Sequence, residues 1–558
     1  MTPGSAREFT RGMGRGEYHC GRDERLLPVR LGARRSCDHL GVTEATPAVR
    51  WDRYDTAIVT GAAIATIFVH PVRTMLKHPF WLDEAWVAAL TRAPLARLPH
   101  LSSSAPFGFV ALLQLVPGSG LQRGRLLVLG FSLLTVAASY VLARTLGWRR
   151  RSDARFAATV TALVVMLAPV SLIRNDLKQY TCDAFCAVAL LAFGARAERA
   201  PSRKSLLWLA GAGVVTAPLS STALFVTVAV FAGLLASAAL DRARSRVIEI
   251  VVVGGATGVA LAAYFAAAVA PNLNPKLRAY WASQYLTGSP LHIVHATWNK
   301  LARLGPDLAM PVAVFVVLFA LGLVVLVRVR ARALAIAMPF LWLEMAVIGR
   351  LRRYPYLDLR TSQFLLVTSL FVVALGALGI VAAVRAVPRV RGIEVGTGGA
   401  GVTSALLAVL FAIGFVHHVR ELNIPAEDVR SETFAVSTKY QPHDVVLVNE
   451  SANFGFSYYW PHGHMTFHHD DSGQGFGTEL SGVDAVYISS RTYQDIAHGL
   501  REAVDRWRRA GPDSHLYIVR THLSSPEEAS WQRAFTSVGL TPRPQAVGVD
   551  PLLVLGPA

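Results

Sequence analysis

The chain has 558 residues, 53% of them hydrophobic and only 16% charged, with a mean hydropathy of +0.39. Those values exclude a soluble globular protein and define a polytopic membrane protein. The net charge of +18 comes almost wholly from Arg in short runs between apolar segments, a pattern that orients membrane spans and argues against nucleic acid as a partner.

Residues 1–53 are polar and Arg-rich, lack the apolar core of a signal peptide, and read as a disordered cytoplasmic leader. Apolar stretches at about 55–72, 125–146, 156–173, 183–197, 205–219, 221–240, 247–270, 309–327, 333–349, 363–384 and 402–418 predict about eleven transmembrane helices across a domain at 54–418. The pair flanking Pro218 is also compatible with one re-entrant hairpin. With the N-terminus cytoplasmic, every inside loop is basic: Arg149 to Arg155, Arg196 to Lys204, Arg242 to Arg246, Arg328 to Arg332 and Arg385 to Arg391. The outer side then receives Asp83, the connection Arg174 to Asp183, the segment Pro271 to Met310, the connection Arg350 to Gln363 and everything beyond His417-His418. Arg352-Arg353 and Arg174 with Lys178 lie where the positive-inside rule does not ask for cations, so they call for a functional explanation. The centres of the spans read as free of charge.

Residues 419–558 read as an extracytoplasmic α/β domain, a small, partly parallel sheet with flanking helices. Strands are expected at 445–448, 485–489, 516–519 and 552–555, and helices at about 426–438, 493–509 and 527–538, the last capped by Ser525 with Pro526 at its first position. No glycine-rich phosphate loop is present. His462, His464, His468, His469, Asp470 and Asp471 supply the ligand types for a divalent cation. Their spacing matches no closed metal site, and Gly473, Gly475 and Gly477 suggest a mobile surface loop, so no metal ligand is assigned and a divalent cation stays open as a cofactor. Cys182 and Cys186, four apart on a helix, fit disulfide geometry poorly.

One feature of the first outer loop stands out: Phe80-Trp81-Leu82-Asp83-Glu84-Ala85-Trp86 holds two carboxylates between aromatics at the membrane boundary, where uncompensated charge is costly. The same side carries Lys178-Gln179-Tyr180 with Asp183, and Arg352-Arg353-Tyr354-Pro355-Tyr356 with Arg360. A general base beside fixed cations suits deprotonation of an acceptor hydroxyl next to a phosphate leaving group. The bland alternatives are a solvated loop, Lys178 snorkelling, Arg352 and Arg353 on anionic lipid, Tyr180 and Trp281 in an aromatic belt, and Asp183 as a helix cap.

The acidic pair, the amphipathic region Pro106 to Pro117, Lys-Gln-Tyr-x-x-Asp opening the fourth span, and the Arg-Tyr-Pro element together resemble the multi-spanning glycosyltransferases of the GT-C fold. Within these they resemble most the bacterial relatives of protein O-mannosyltransferases and lipid A aminoarabinose transferases, glycosyltransferase family 39 in the broad sense. The resemblance covers roughly residues 51–460. It implies an enzyme of the cytoplasmic membrane that transfers a sugar, with inversion, from a polyprenyl-phosphate donor to a cell-envelope glycan, lipid or protein on the outer face. It also implies roles: Asp83 as general base with Glu84 in support, Lys178, Arg352 and Arg353 on the carrier phosphate, and Gln179, Tyr180 and Asp183 around the donor. The stretch Tyr354 to Arg360 departs from the simpler Tyr-Pro-x-x-x-Arg pattern and leaves open which arginine, Arg360 included, meets the phosphate. The rivals are a transporter or flippase of lipid-linked or small solutes, against which stand the charge-free span centres and a Pro218 without a counterpart in a second half, and a non-catalytic wall-assembly protein, which leaves the acidic pair unexplained.

Overall fold

The computed structural model describes residues 51–70, 72–103, 105–116, 122–172, 177–273, 275–385, 427–470, 475–547, 549 and 551–556, with scattered positions between 401 and 412. Residues 1–50 of the leader, Pro117, Arg174 to Asp176, the basic run 386–391, most of the expected span 402–418, His417-His418, Asp471 and Gly473 lie outside the described residues.

Helices occupy the first ten apolar stretches. They are α1 (Arg53–Val69), then, after α2 (Leu82–Leu90) and α3 (Phe107–Gln114) in the first long connection, α4 (Gly124–Thr145), α5 (Arg151–Leu167), α6 (Tyr180–Arg199), α7 (Arg203–Thr216), α8 (Ala223–Leu240) and α9 (Arg244–Tyr264). After the connecting helix α10 (Pro290–Arg303) come α11 (Val312–Arg328), α12 (Arg332–Arg350) and α13 (Gln363–Arg385). Among the described residues, α4, α6, α8, the stretch from Arg244 to Asn272, α12 and α13 are long and apolar enough to cross a membrane, and α11 is a shorter apolar helix. The chain is a multi-pass membrane protein. A tight turn at Pro218 separates α7 from α8, and its carbonyl accepts the Gly108 N–H at 2.9 Å.

Small residues set the closest helix contacts, as expected where lipid supplies no hydrophobic drive. α13 is the most enclosed span and packs on α11, where a Cβ on Gly376 would lie 1.9 Å from the Leu318 carbonyl oxygen. At the basic-loop end, Asp55 of α1 is fully buried against Tyr140 (2.6 Å) and Arg144 (2.8 and 3.0 Å) of α4.

The C-terminal region forms α14 (Val429–Ser437), β1 (Val445–Val448), α15 (Asn453–Tyr459), β2 (Met465–Asp470), β3 (Gly475–Leu480), β4 (Asp484–Tyr487), α16 (Tyr493–Ala510), β5 (Leu516–Val519), α17 (Ser525–Ser537), β6 (Arg543–Gln545) and β7 (Leu552–Leu555). The five-stranded sheet runs β4-β1-β5-β7-β6, with β1 parallel to β4 and β5, and β7 antiparallel to β5 and β6. This is the partly parallel α/β arrangement the strand pattern predicts. Two local expectations are corrected. The cap of α17 is Ser524, one residue earlier, whose hydroxyl accepts from the Glu527 N–H. The described part of the His-rich segment beyond His464 is no loose loop: β2 and β3 pair antiparallel, His468 opposite Gly477 and His469 opposite Phe476.

This region sits on α2. The Trp86 ring stacks on Phe454 of α15 (5.7 Å, 3°), the Tyr459 hydroxyl accepts the Phe80 N–H at 2.7 Å, and Glu427 Oε2 accepts the Leu82 N–H at 3.0 Å.

Candidate active site

Asp83 and Glu84 occupy the first turn of α2, where the helix dipole favours anions, and successive helical side chains diverge by about 100°. That divergence gives the pair opposite fates. Glu84 turns inward, 1% exposed, and takes the Arg125 guanidinium of α4 on both oxygens, with Nε to Oε1 at 2.7 Å. Its Oε1 also accepts the Leu177 N–H at 2.8 Å, while Arg125 donates to the carbonyls of Met75, His78 and Pro79. The pair therefore ties α2, α4 and the residue before Lys178 together, and Glu84 is not among the residues lining the cavity described next. Asp83 turns the other way, 24% exposed, and lines that cavity.

The cavity measures about 1280 Å³. Asp83, Lys178, Gln179, Tyr180, Asp183, Arg352 and Arg353, from three connections far apart in sequence, all line it. Arg360 does not. Its Nη1 donates to Asp83 Oδ2 at 2.7 Å, and its guanidinium lies 5.6 Å from the Trp81 ring centre and 5.8 Å from that of Trp281. Burial opposes its charge, but Tyr180, Asp83 and Asp358 together hold its pKa above the ordinary range.

The arginine pair is presented by a helix end. Beyond α12 the Arg352 N–H bonds to the Gly349 carbonyl (3.2 Å) and the Arg353 N–H to the Ile348 carbonyl (3.0 Å), a Schellman cap whose left-handed position holds Arg352 at φ 56° where glycine is usual. The cap turns both guanidinium side chains toward the cavity instead of letting the helix run on. The following stretch is anchored: Asp358 Oδ1 accepts the N–H groups of Arg360 and Thr361 (3.1 Å each), the Tyr354 hydroxyl donates to the Thr361 carbonyl (2.9 Å), and Lys300 donates to the Tyr356 carbonyl (3.0 Å).

At the start of α6, Gln179 occupies the cap position and Asp183 lies in the first turn, so Asp183 is not the cap. Its carboxyl group, 2% exposed, meets the hydroxyls of Ser220 and Thr222 in the turn before α8. Lys178 is buried with its ammonium 5.3 Å from the Trp86 ring centre, so it does not snorkel to the surface. Cys182 and Cys186 are free and buried.

Sequence reasoning passed over Arg278 and Glu344. Arg278 lies in the connection after α9 and lines the cavity beside Trp281 and Tyr285. Glu344 contradicts the reading of charge-free span centres: it stands within α12, lines the cavity, and its Oε2 is buried without a hydrogen-bond partner among the described residues. A lone acid inside an apolar run was its visible signal. Among the described residues no group of three or more His, Cys, Asp or Glu is arranged to hold a metal ion.

No protein-family model matches the sequence. No curated protein matches it. Solved structures do match its fold. ArnT from Cupriavidus metallidurans, solved bound to undecaprenyl phosphate, superposes with a TM-score of 0.51 at 14% identity over 90% of this chain and 100% of ArnT. The archaeal oligosaccharyltransferase AglB from Archaeoglobus fulgidus, solved with an inhibitory peptide and a dolichol-phosphate, superposes with a TM-score of 0.51 at 10% identity over 84% of this chain and 69% of AglB. The chain has the GT-C fold of membrane glycosyltransferases, built on an α-helical membrane bundle with a C-terminal α/β region.

Proposed function

We propose that this protein is a membrane glycosyltransferase that moves a sugar from a polyprenyl-phosphate carrier to a glycan, lipid or protein acceptor, with inversion at the anomeric carbon. The observation that carries the reading is one cavity lined by the carboxylate Asp83 and by Lys178, Arg278, Arg352 and Arg353. ArnT and AglB were solved with undecaprenyl phosphate and dolichol-phosphate respectively, ligands whose phosphate such cations would suit. In this reading residues 54–418 form the transmembrane domain in the cytoplasmic membrane, the N-terminus is cytoplasmic, and the cavity and residues 419–558 face outward.

The chemistry follows from the lining. Lys178, Arg352 and Arg353, joined by Arg278, hold the carrier phosphate and stabilise the charge it gains on leaving. Asp83 takes the proton of the acceptor hydroxyl as its oxygen bonds to the anomeric carbon. The bond from that carbon to the phosphate oxygen breaks on the opposite face, and polyprenyl phosphate departs with the bonding pair. Arg360 positions Asp83 rather than the phosphate. Glu84 acts through the fold, holding α2 and the residue before Lys178 in register.

The reading is tested by binding of undecaprenyl phosphate to the purified protein in nanodiscs. The account expects binding that Arg352→Ala with Arg353→Ala weakens about ten- to hundredfold; no binding, or binding indifferent to both changes, assigns those arginines to bulk lipid. Glu344, within the span α12, favours a transporter, since ionisable residues within spans mark solute paths. Reconstituted vesicles separate the two: a transporter moves the intact lipid-linked sugar between leaflets, whereas the enzyme releases free carrier.

A further inference from the structure

Four buried polar atoms face the same cavity without a hydrogen-bond partner among the described residues: Trp86 Nε1, Gln179 Oε1, Asp183 Oδ1 and Glu344 Oε2. Buried polar groups in a native fold are nearly always paired, so a set of orphans on one cavity wall marks where a ligand supplies the partners. The composition of the set says what those partners are. Carboxyl and amide oxygens accept hydrogen bonds, and three of the four orphans are such oxygens, on Gln179, Asp183 and Glu344, so hydroxyl or ammonium groups of a ligand complement them. In the proposed reading the cations on the wall serve the phosphate, and the side chains that meet Asp183 are the hydroxyls of Ser220 and Thr222. Asp183 is placed firmly: it lies one turn into α6, steadied by Ser220 and Thr222, whose hydroxyls are 2.9 Å apart. Glu344 reaches the same space from α12.

Resting on the glycosyltransferase reading of this cavity, we propose that Asp183 and Glu344, with Gln179 and Trp86, form the sugar subsite and select a donor sugar that is neutral or cationic over one that carries a carboxylate. A uronic acid would bring a further acceptor-only carboxylate to a wall of acceptor oxygens, while hydroxyl or ammonium groups satisfy the orphaned oxygens.

The test measures binding to the full chain in nanodiscs with four probes: undecaprenyl phosphate alone, and the same carrier bearing a neutral hexose, the matching amino sugar or the matching uronic acid. The expected result is that the neutral and amino-sugar conjugates bind about tenfold tighter than the bare carrier while the uronic acid gains nothing. Asp183→Asn and Glu344→Gln should each shrink the amino-sugar advantage and relieve the penalty on the uronic acid, with bare-carrier binding and melting temperature unchanged. Measuring both variants covers the case in which the buried Asp183 is needed for folding. The proposal is overturned if the parent binds the uronic acid as tightly as the neutral hexose, or if a folded Glu344→Gln protein keeps the parent's full preference. Failure of the bare carrier to bind at all would instead sink the donor-site reading on which it rests.

Discussion

Arg360 donates from Nη1 to Asp83 Oδ2 at 2.7 Å across 277 positions of sequence, its guanidinium held close to the indoles of Trp81 and Trp281. The contact fixes one oxygen of the carboxylate that lines the cavity and keeps a permanent cation beside it. Arg360→Ala is expected to lower turnover about ten- to hundredfold by releasing Asp83, with undecaprenyl phosphate binding unchanged. Arg360→Lys restores charge without the fork and should recover only part of the rate. A fall in carrier affinity with turnover intact would return Arg360 to the phosphate.

The neighbouring carboxylate answers to a different test. Glu84 and Arg125 are both nearly inaccessible and satisfy each other along with several backbone groups. Removing one partner leaves the other buried and charged, so Glu84→Ala should destabilise the protein by about 3–5 kcal/mol, and Glu84→Gln, which keeps some hydrogen bonds, by less. Melting in detergent micelles is the measurement. A Glu84→Ala protein as stable as the parent but inactive would restore a direct chemical role.

Arg352 lines the cavity from a strained backbone position. A left-handed conformation costs a non-glycine residue about 1–2 kcal/mol. Arg352→Gly is therefore expected to raise stability by about 1 kcal/mol while weakening carrier binding about tenfold or more. A variant that neither gains stability nor loses affinity would mean that the cap is unstrained and the guanidinium idle.

The sequence made the membrane class, the positions of the first ten apolar helices, four strands and three helices of the C-terminal region and the cavity residues Asp83, Lys178, Asp183, Arg352 and Arg353 legible, because span length, alternation and misplaced charge are one-dimensional signals. What it hid was orientation around a helix axis and contact between distant segments. Asp83 and Glu84 look equivalent in sequence, and only the packing of α2 against Arg125 divides them. Arg360, one of the arginines the sequence offered for the phosphate, pairs with Asp83 in the structure, a contact no sequence signal announces. The β2–β3 pair escaped notice because glycines that suggest a loose loop also permit close pairing, as at Gly477 opposite His468.

A pH dependence follows from His522, held in the left-handed region at φ 55° next to Glu427. Its hydrogen bond to the Glu427 carboxylate raises its pKa above the ordinary 6.5, with burial opposing. A folded-state pKa above the unfolded value means that this contact stabilises fully below about pH 6.5 and loses its effect as pH rises through the folded value. Because Glu427 also accepts the Leu82 N–H, the loss falls on the seat of α2. The melting temperature should therefore decline as pH rises above about 6.5, and His522→Gln should flatten the slope. An unchanged slope in that variant would assign it to other groups.

Asp83 carries the central claim. As general base it would contribute about 10² to 10⁴ in rate, and Asp83→Asn keeps its shape while removing its basicity. The decisive measurement is transfer of radiolabelled sugar from polyprenyl-phosphate donors in native membranes, with parent and Asp83→Asn proteins at equal level and equal melting temperature. The account predicts that the variant binds carrier normally and loses at least about a hundredfold in transfer. Transfer by Asp83→Asn at the parent rate, or no consumption of lipid-linked donor by the parent, would contradict it.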